Sequence, residues 1–330
     1  MRIYVTQPIA ESALERLHAV AQVRLNPDPL HIATKDELIA AVREADILFC
    51  LLHDTVDAEV IAANPRLRAI ASMCITPKDI DVAEATRRAI PVTVIPALLL
   101  NDATADLAFA LLLAVGRRVA EADRFVRTGV VPGGQSRHFE AAGVSGKVLG
   151  ILGMGGVGRA MARRAQGFSM QLLYHDPRRL SVEEEAALGA RWVEFDEVLR
   201  ASDYVSLHVA LTPRTHHLLG SREFGLMKAS AYFINTARGA IVDEAALIRA
   251  LAEGRIAGAG LDVYEHEPRI DPALLAMPNV VLTPHMGSAV SSLREAMANV
   301  VVDNILAIAD GRRPPNCWNP EIYAKTTERT

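Results

Sequence analysis

The chain has 330 residues, half of them apolar, and a formal net charge of −4. That is enough apolar chain for two domains with separate cores, and the lysines and arginines are scattered singly or in pairs, which excludes the basic stripe a nucleic-acid backbone requires. The three cysteines, Cys50, Cys74 and Cys317, are far apart and form neither a disulfide framework nor a zinc set, so no metal is expected and the chemistry fits a reducing cytoplasm.

Met1 leads straight into RIYVTQ, a short alternating strand. Further β-rich runs follow at DILFCLL (46–52), LRAIASM (67–73) and PVTVI (91–95), separated by the helical patterns KDELIAAVREA and DVAEATRRA. Strands alternating with helices imply βαβ units and a parallel sheet. From Asp102, the segment TADLAFALLLAVGRRVAEADRFVR keeps an apolar helical period for about seven turns, more than a crossover helix needs. One long helix bridging domains or subunits is therefore expected. Its longest apolar run, LAFALLLAV, is too short to cross a bilayer, so no membrane partner is expected. After the loop TGVVPGGQSR, a fresh series of strands begins: GKVLGILGM, MQLLYHD, DYVSLHV, AYFINTA, GAGLDV and NVVLTP. These predict a second parallel sheet. No repeat or low-complexity tract interrupts the chain, and the tail after Trp318 is too short to be a module.

The strand KVLGILG runs into GMGGVGRAMARRAQG, which puts Gly153, Gly155 and Gly158 in the GxGxxG spacing at a strand-to-helix turn. In that spacing the first glycine makes the turn, the second lets backbone approach a pyrophosphate, and the third lets helix and strand pack. A tight turn without any ligand has the same pattern. Asp176, at the end of the next strand, is what points to a dinucleotide, because its carboxylate can accept both hydroxyls of an adenosine ribose. The same carboxylate repels a 2′-phosphate, which favours NAD over NADP, although Arg178 and Arg179 stand close by.

Three later segments end strands with polar residues: Arg238 in INTARGAIVDEAAL, the acidic stretch DVYEHEP at 262–268, and His285 in NVVLTPHMGSA. Ligands in open α/β sheets lie at the carboxyl ends of the strands, where all three would meet. An arginine there can grip a carboxylate in bidentate fashion, a histidine can exchange a hydroxyl proton, and a glutamate can orient the histidine and favour its charged form. Together they imply a dehydrogenase of 2-hydroxy acids. Each has a plainer reading: a surface arginine, a core histidine, and solvated Glu265 and Glu267.

GILGMGGVGRAMA, HVALTPRTHHL, NTARGAIVDEAAL, AGAGLDVYEHEP and TPHMGSA together resemble the D-isomer-specific 2-hydroxyacid dehydrogenase family. NDATADLAFALLLAVGRRVAEADRFVRTG is similar to its glyoxylate/hydroxypyruvate reductase branch. The resemblance implies an α/β fold of two Rossmann-like, flavodoxin-like parallel-sheet domains with a cleft between them. An NAD-binding domain at 102–287 would include a dimerisation helix, and 1–101 with 288–330 would form a discontinuous substrate-binding domain. It makes Arg238, Glu267 and His285 the catalytic set. Glu265 and His266 become supporting or solvated neighbours, so Glu265→Gln is expected to do little. It places Thr104, Gly153, Gly155, Gly156, Val157, Gly158, Asp176, His208, Val209, Thr212, Ala237, Asp262 and Gly287 around NAD, with Asp262 on the nicotinamide carboxamide. Leu52, His53, Ile75 and Thr76 would face the substrate, and the assembly implied is a homodimer.

The chain departs from the family in the substrate domain. Where relatives carry a pattern like VGYDNID, it has ITPKDID at 75–81, with Thr76 for the glycine, Pro77 for the aromatic residue and Lys78 for the aspartate. The loop PALLLND is one residue longer than usual, and His53 replaces a small residue or proline. The chain also resembles phosphite dehydrogenases around GILGMGGVGRAM and TPHMGSA, but Ile75 stands where they carry a lysine. An NAD(H)-sensing corepressor shares the fold and the catalytic-looking residues, and is the alternative of a different class. Thr76 ahead of Pro77 implies a differently shaped carboxylate cradle, and His53 or Lys78 pointing inward would welcome a polar substituent, so hydroxypyruvate is expected to outrun glyoxylate; with Ile75 for the lysine, phosphite is expected to be oxidised poorly.

Overall fold

A computed structural model of the chain describes residues 1–131, 134 and 137–326. Positions 132, 133, 135 and 136, in the loop TGVVPGGQSR, lie outside the described residues, as do 327–330. The chain divides into two compact units, one made of Met1–Leu99 with the chain from Ala289 onward, the other of Leu100–Ser288.

The first unit holds five parallel strands, β1 (Arg2–Val5), β2 (Gln22–Leu25), β3 (Ile47–Cys50), β4 (Ala69–Ser72) and β5 (Val92–Thr93), in the order β2-β1-β3-β4-β5. β3 and β4 are buried along their whole length, as strands covered on both faces must be. The helix Ser291–Ala309 packs on helix Glu11–His18 and on β4, and Arg16 bonds Asn299 (2.7 Å) and Asp303 (2.6 Å), so the end of the chain completes this unit. The C-terminal tail docks on β5 through Trp318 N–H to Val92 O and the Thr93–Cys317 bridge.

The second unit is a seven-stranded parallel sheet of β6 (Val148–Leu152), β7 (Gln171–His175), β8 (Ala190–Trp192), β9 (Tyr204–Leu207), β10 (Tyr232–Asn235), β11 (Gly258–Leu261) and β12 (Val280–Leu282), ordered β12-β11-β10-β9-β6-β7-β8. The chain runs outward from β6 to β8, then returns to the other flank of β6 with β9. That reversal is a topological switch point, where a crevice opens at the strand ends.

The structure departs from the expectations at several points. The long helix after Asp102 is two helices, Asn101–Gly116 and Val119–Val126, because Arg118 takes a left-handed conformation (φ 55°) between them. The first is a core helix. With the 3-10 turn Ala97–Leu100, which replaces the expected loop PALLLND, it makes a 20-residue helical stretch of mean hydropathy 1.7, long and apolar enough to cross a membrane by composition. Yet Ala105, Ala108, Phe109, Leu111, Leu112 and Val115 are buried against helix Gly156–Gln166 and β10 to β12. Apolarity all round the helix reflects that packing. Strands β2 and β8 were not expected either, and both lie at sheet edges.

Candidate active site

At the switch point, the three glycines of the turn prove to have three different reasons. Gly153 has φ 91°, and a Cβ there would lie 2.7 Å from His208 O and 2.9 Å from Val209 Cγ1, where β9 ends. Only glycine lets β6 turn so close to its neighbour. A Cβ on Gly158 would meet Gly153 O at 2.1 Å, so the third glycine serves helix-on-strand packing. Gly155, by contrast, is exposed, and a Cβ there would meet nothing within 4 Å. It is also the uncapped N-cap of helix Gly156–Gln166, which leaves the amides of Gly156, Val157 and Gly158 at the positive end of the helix. Missing side-chain volume that no protein atom fills is what a bound pyrophosphate needs. Asn101 closes the turn from the side, because a Cβ on Gly156 would lie 2.3 Å from its amide nitrogen.

Asp176 ends β7 beside this turn. Its carboxylate accepts the amides of Met154 (2.9 Å) and Arg178 (2.9 Å), which tie the acid to the glycine loop. Arg179 pairs with Glu185 through two bonds of 2.8 and 2.9 Å, so it does not offset the Asp176 charge. His208, half-buried at the end of β9, shares a 2.9 Å bond with Ser206 Oγ, and desolvation pushes its imidazole down to about 4, so the ring is neutral. Thr212 is exposed and folded into its own turn by Thr215. At the end of β10, buried Thr236 Oγ1 has no hydrogen-bond partner among the described residues, a further sign of a polar ligand here. These residues fit a dinucleotide.

The ends of β10, β11 and β12 carry the remaining set. His285 Nδ1 lies 2.8 Å from Glu267 Oε2, and Glu267 Oε1 accepts the Tyr264 amide at 3.0 Å, so the glutamate is held on both oxygens. Both side chains are largely buried, at 20% and 13% exposure. Asp262, 1% exposed, accepts Thr283 Oγ1 (2.7 Å), Met286 N–H (2.8 Å) and Gly287 N–H (2.9 Å), bracketing His285. A Cβ on Gly287 would lie 3.5 Å from Thr104 Oγ1, which brings that threonine to the same corner. Arg238 follows β10; buried Asn235 holds its loop by donating to Arg238 O and accepting from Ala237 N–H, and Arg238 Nη1 donates to Ala237 O at 2.6 Å. The next residue, Gly239, packs so closely that a Cβ would fall 1.9 Å from the carbonyl carbon of Tyr264. The arginine loop and the DVYEHEP loop are thus locked together.

Glu265 is not a solvated neighbour. Its side chain is 14% exposed, lies 2.6 Å from His217 Nε2 and accepts the Glu244 amide at 3.1 Å. His266 is exposed. Sequence reading passed over Asn101, His217, Asn235 and Glu244; only the asparagine directly ahead of TARG carried a signal, as a strand-end residue able to cap the turn.

In the first unit the loops after β3 and β4 emerge side by side, with Met73 N–H bonded to Cys50 O. Half-buried His53 has φ 76°, and its turn is held by Asp54, 2% exposed, which accepts Thr6 Oγ1 and Leu51 N–H. Burial pushes the Asp54 carboxyl up, against those two bonds. Leu52 and Ile75 are half-buried and Thr76 is exposed. Lys78 is an exposed residue whose ammonium lies 3.6 Å from the Asp79 carboxylate.

A profile of the D-isomer specific 2-hydroxyacid dehydrogenase NAD binding domain matches residues 109–287. A glyoxylate reductase from Thermococcus litoralis is 45% identical over 98% of this chain and 98% of its own. Among solved structures, a protein from Thermus thermophilus is 39% identical and superposes with a TM-score of 0.89 over 96% of this chain and 100% of its own. A glyoxylate reductase from Paecilomyes thermophila, 31% identical, superposes with a TM-score of 0.80 over 97% and 99%.

Proposed function

The chain belongs to the D-isomer specific 2-hydroxyacid dehydrogenase family and is an NAD-dependent oxidoreductase acting on CH–OH groups, and from that premise we propose that it reduces a small 2-oxo acid of the glyoxylate or hydroxypyruvate type. The observation that carries the reading is the 2.8 Å bond between His285 and Glu267 at the strand ends. When bound, NAD supplies or takes up the hydride. His285 Nε2, the ring nitrogen opposite the glutamate, gives its proton to the carbonyl oxygen as the hydroxyl forms and takes it back in oxidation. Glu267 keeps Nδ1 protonated and stabilises the imidazolium. Arg238 grips the substrate carboxylate. Asp262 holds the His285 loop and offers its carboxylate edge to the carboxamide. The protein works in the cytoplasm as a homodimer, and the exposed Val119, Val126, Val130 and Val131 around the second helix are the apolar surface that a second copy covers.

A panel of 2-oxo acids assayed by NADH consumption, with phosphite and NAD in the reverse sense, tests the reading. Reduction of glyoxylate and hydroxypyruvate is expected, with the larger kcat/KM for hydroxypyruvate because Thr76 and Pro77 reshape the loop that relatives build with glycine. No turnover of any 2-oxo acid would overturn the activity, and a glyoxylate optimum would overturn the role given to the loop. On the cofactor side, Asp176→Ala is expected to narrow the preference for NADH over NADPH in kcat/KM, since the carboxylate both bonds a ribose and repels a phosphate. Equal use of both cofactors by the unaltered enzyme would contradict this.

A further inference from the structure

We infer that His217, Glu265 and Glu244 form a clamp that sets the position of Glu267, making them positioning residues for proton exchange at His285. The inference rests on the roles proposed above for His285 and Glu267.

The clamp is built from bonds across distant stretches of chain. Glu244 N–H donates to Glu265 Oε2 (3.1 Å), and Glu265 N–H donates back to Glu244 Oε2 (3.0 Å). Because Glu244 opens the helix Glu244–Ala252, the Glu265 carboxylate sits at the positive end of that helix. Its other oxygen meets His217 Nε2 at 2.6 Å. His217 is itself fixed: its N–H donates to Ala240 O (3.0 Å), its ring centroid lies 4.0 Å from that of His216, and its backbone is left-handed at φ 50°. A non-glycine residue holds that conformation at a cost, which the surrounding bonds must offset.

The clamp acts on Glu267 because only His266 separates it from Glu265. Residues 264–267 are folded on themselves by the Tyr264 amide on Glu267 Oε1. Tyr264 is pinned by its hydroxyl on Thr283 O (2.8 Å) and by Gly239 against its carbonyl. A shift at Glu265 therefore moves the carboxylate that holds Nδ1.

The groups facing the pair are His217, His266 and Asp271 together with the two carboxyls themselves. Burial pushes Glu244 up, aided by the neighbouring Glu265 charge. Burial also pushes Glu265 up, but His217 and the Glu244 amide outweigh it and hold Glu265 below the usual carboxylate range. Without His217, two partly buried carboxyls face each other with less compensation, and the loop carrying Glu265 relaxes away from Glu244.

The test is kcat against pH for 2-oxo acid reduction, with KM for NADH, in wild type, Glu267→Gln, Glu265→Gln, His217→Ala, His217→Gln and the double Glu265→Gln, Glu267→Gln. Reduction uses protonated His285, so weakening its partner moves the alkaline fall-off to lower pH. Glu267→Gln is expected to make that shift. Glu265→Gln and His217→Ala are expected to shift it in the same direction by less, and to lower kcat by up to about a hundredfold with KM for NADH unchanged. His217→Gln keeps a donor toward Glu265 and is expected to restore the profile, while the double variant shifts no further than Glu267→Gln alone. Should Glu265→Gln fail to fold, the exposed His217 pair carries the same comparison. A shift in Glu267→Gln with wild-type kcat and profile in Glu265→Gln or His217→Ala overturns the clamp. An unchanged profile in Glu267→Gln overturns the proton-exchange reading on which the clamp rests.

Discussion

His285→Asn is expected to lower kcat by about 10²–10⁴-fold, the usual contribution of a positioned acid–base group, with the dissociation constant for NADH nearly unchanged. The choice of asparagine follows from the backbone. His285 has φ 53°, a left-handed conformation that asparagine accepts with little strain and that alanine or valine resists. The loop from Thr283 to Gly287 therefore keeps its bonds to Asp262, and the dinucleotide turn at Gly153–Gly158 is untouched. What is lost is the ring that bonds Glu267 on one side and exchanges a proton on the other. Stopped-flow reduction and NADH fluorescence titration measure the two quantities separately. Wild-type kcat across the pH range would remove His285 from the mechanism, and a large loss of NADH affinity would recast it as a cofactor ligand.

Asp262→Asn is expected to be damaging despite its near-identical shape. The carboxylate accepts three donors on two oxygens, and the residue is almost wholly buried. An amide has one acceptor oxygen, so its NH2 must point either at the Gly287 amide or at the Met286 amide. Whichever way it turns, a backbone donor is left unmet, at a cost of about 1–3 kcal/mol, and the loop bearing His285 moves to relieve the contact. The expected result is a lower thermal midpoint together with a kcat loss of up to about a hundredfold. A variant with wild-type midpoint and kcat would show that other contacts hold the loop.

The neighbourhood of Arg238, the DVYEHEP loop and His285 was legible in the sequence because each comes after a strand whose pattern marks where it ends, whereas Glu267 is singled out from Glu265 only by the family resemblance. For Glu265, two residues earlier in the same loop, the sequence leaves a supporting and a solvated reading open. Its partners, His217 and Glu244, are 48 and 21 residues away along the chain, and no local pattern connects them. The strands β2 and β8 escaped for a related reason. As edge strands they are half exposed, and they lack the apolar run that marks the doubly covered β3 or β6. The break at Arg118 was hidden as well, because the helical period of side chains continues across it and nothing in GRRVA demands a left-handed residue.

By itself the sequence determined what short-range physics decides: parallel α/β units, the glycine turn with its acid one strand later, and the strands whose ends lead into the Arg238, DVYEHEP and His285 loops. In each case neighbours within a few residues supply the constraint, through turn sterics, strand alternation or helix period. Only the tertiary structure decided which strands are neighbours, and hence that β6 and β9 flank the switch point, that Gly239 wedges the arginine loop against Tyr264, and that Asp262 holds the loop of His285. Those contacts join residues far apart in the chain, and they form because buried donors and carboxylates must find partners wherever the fold brings them together.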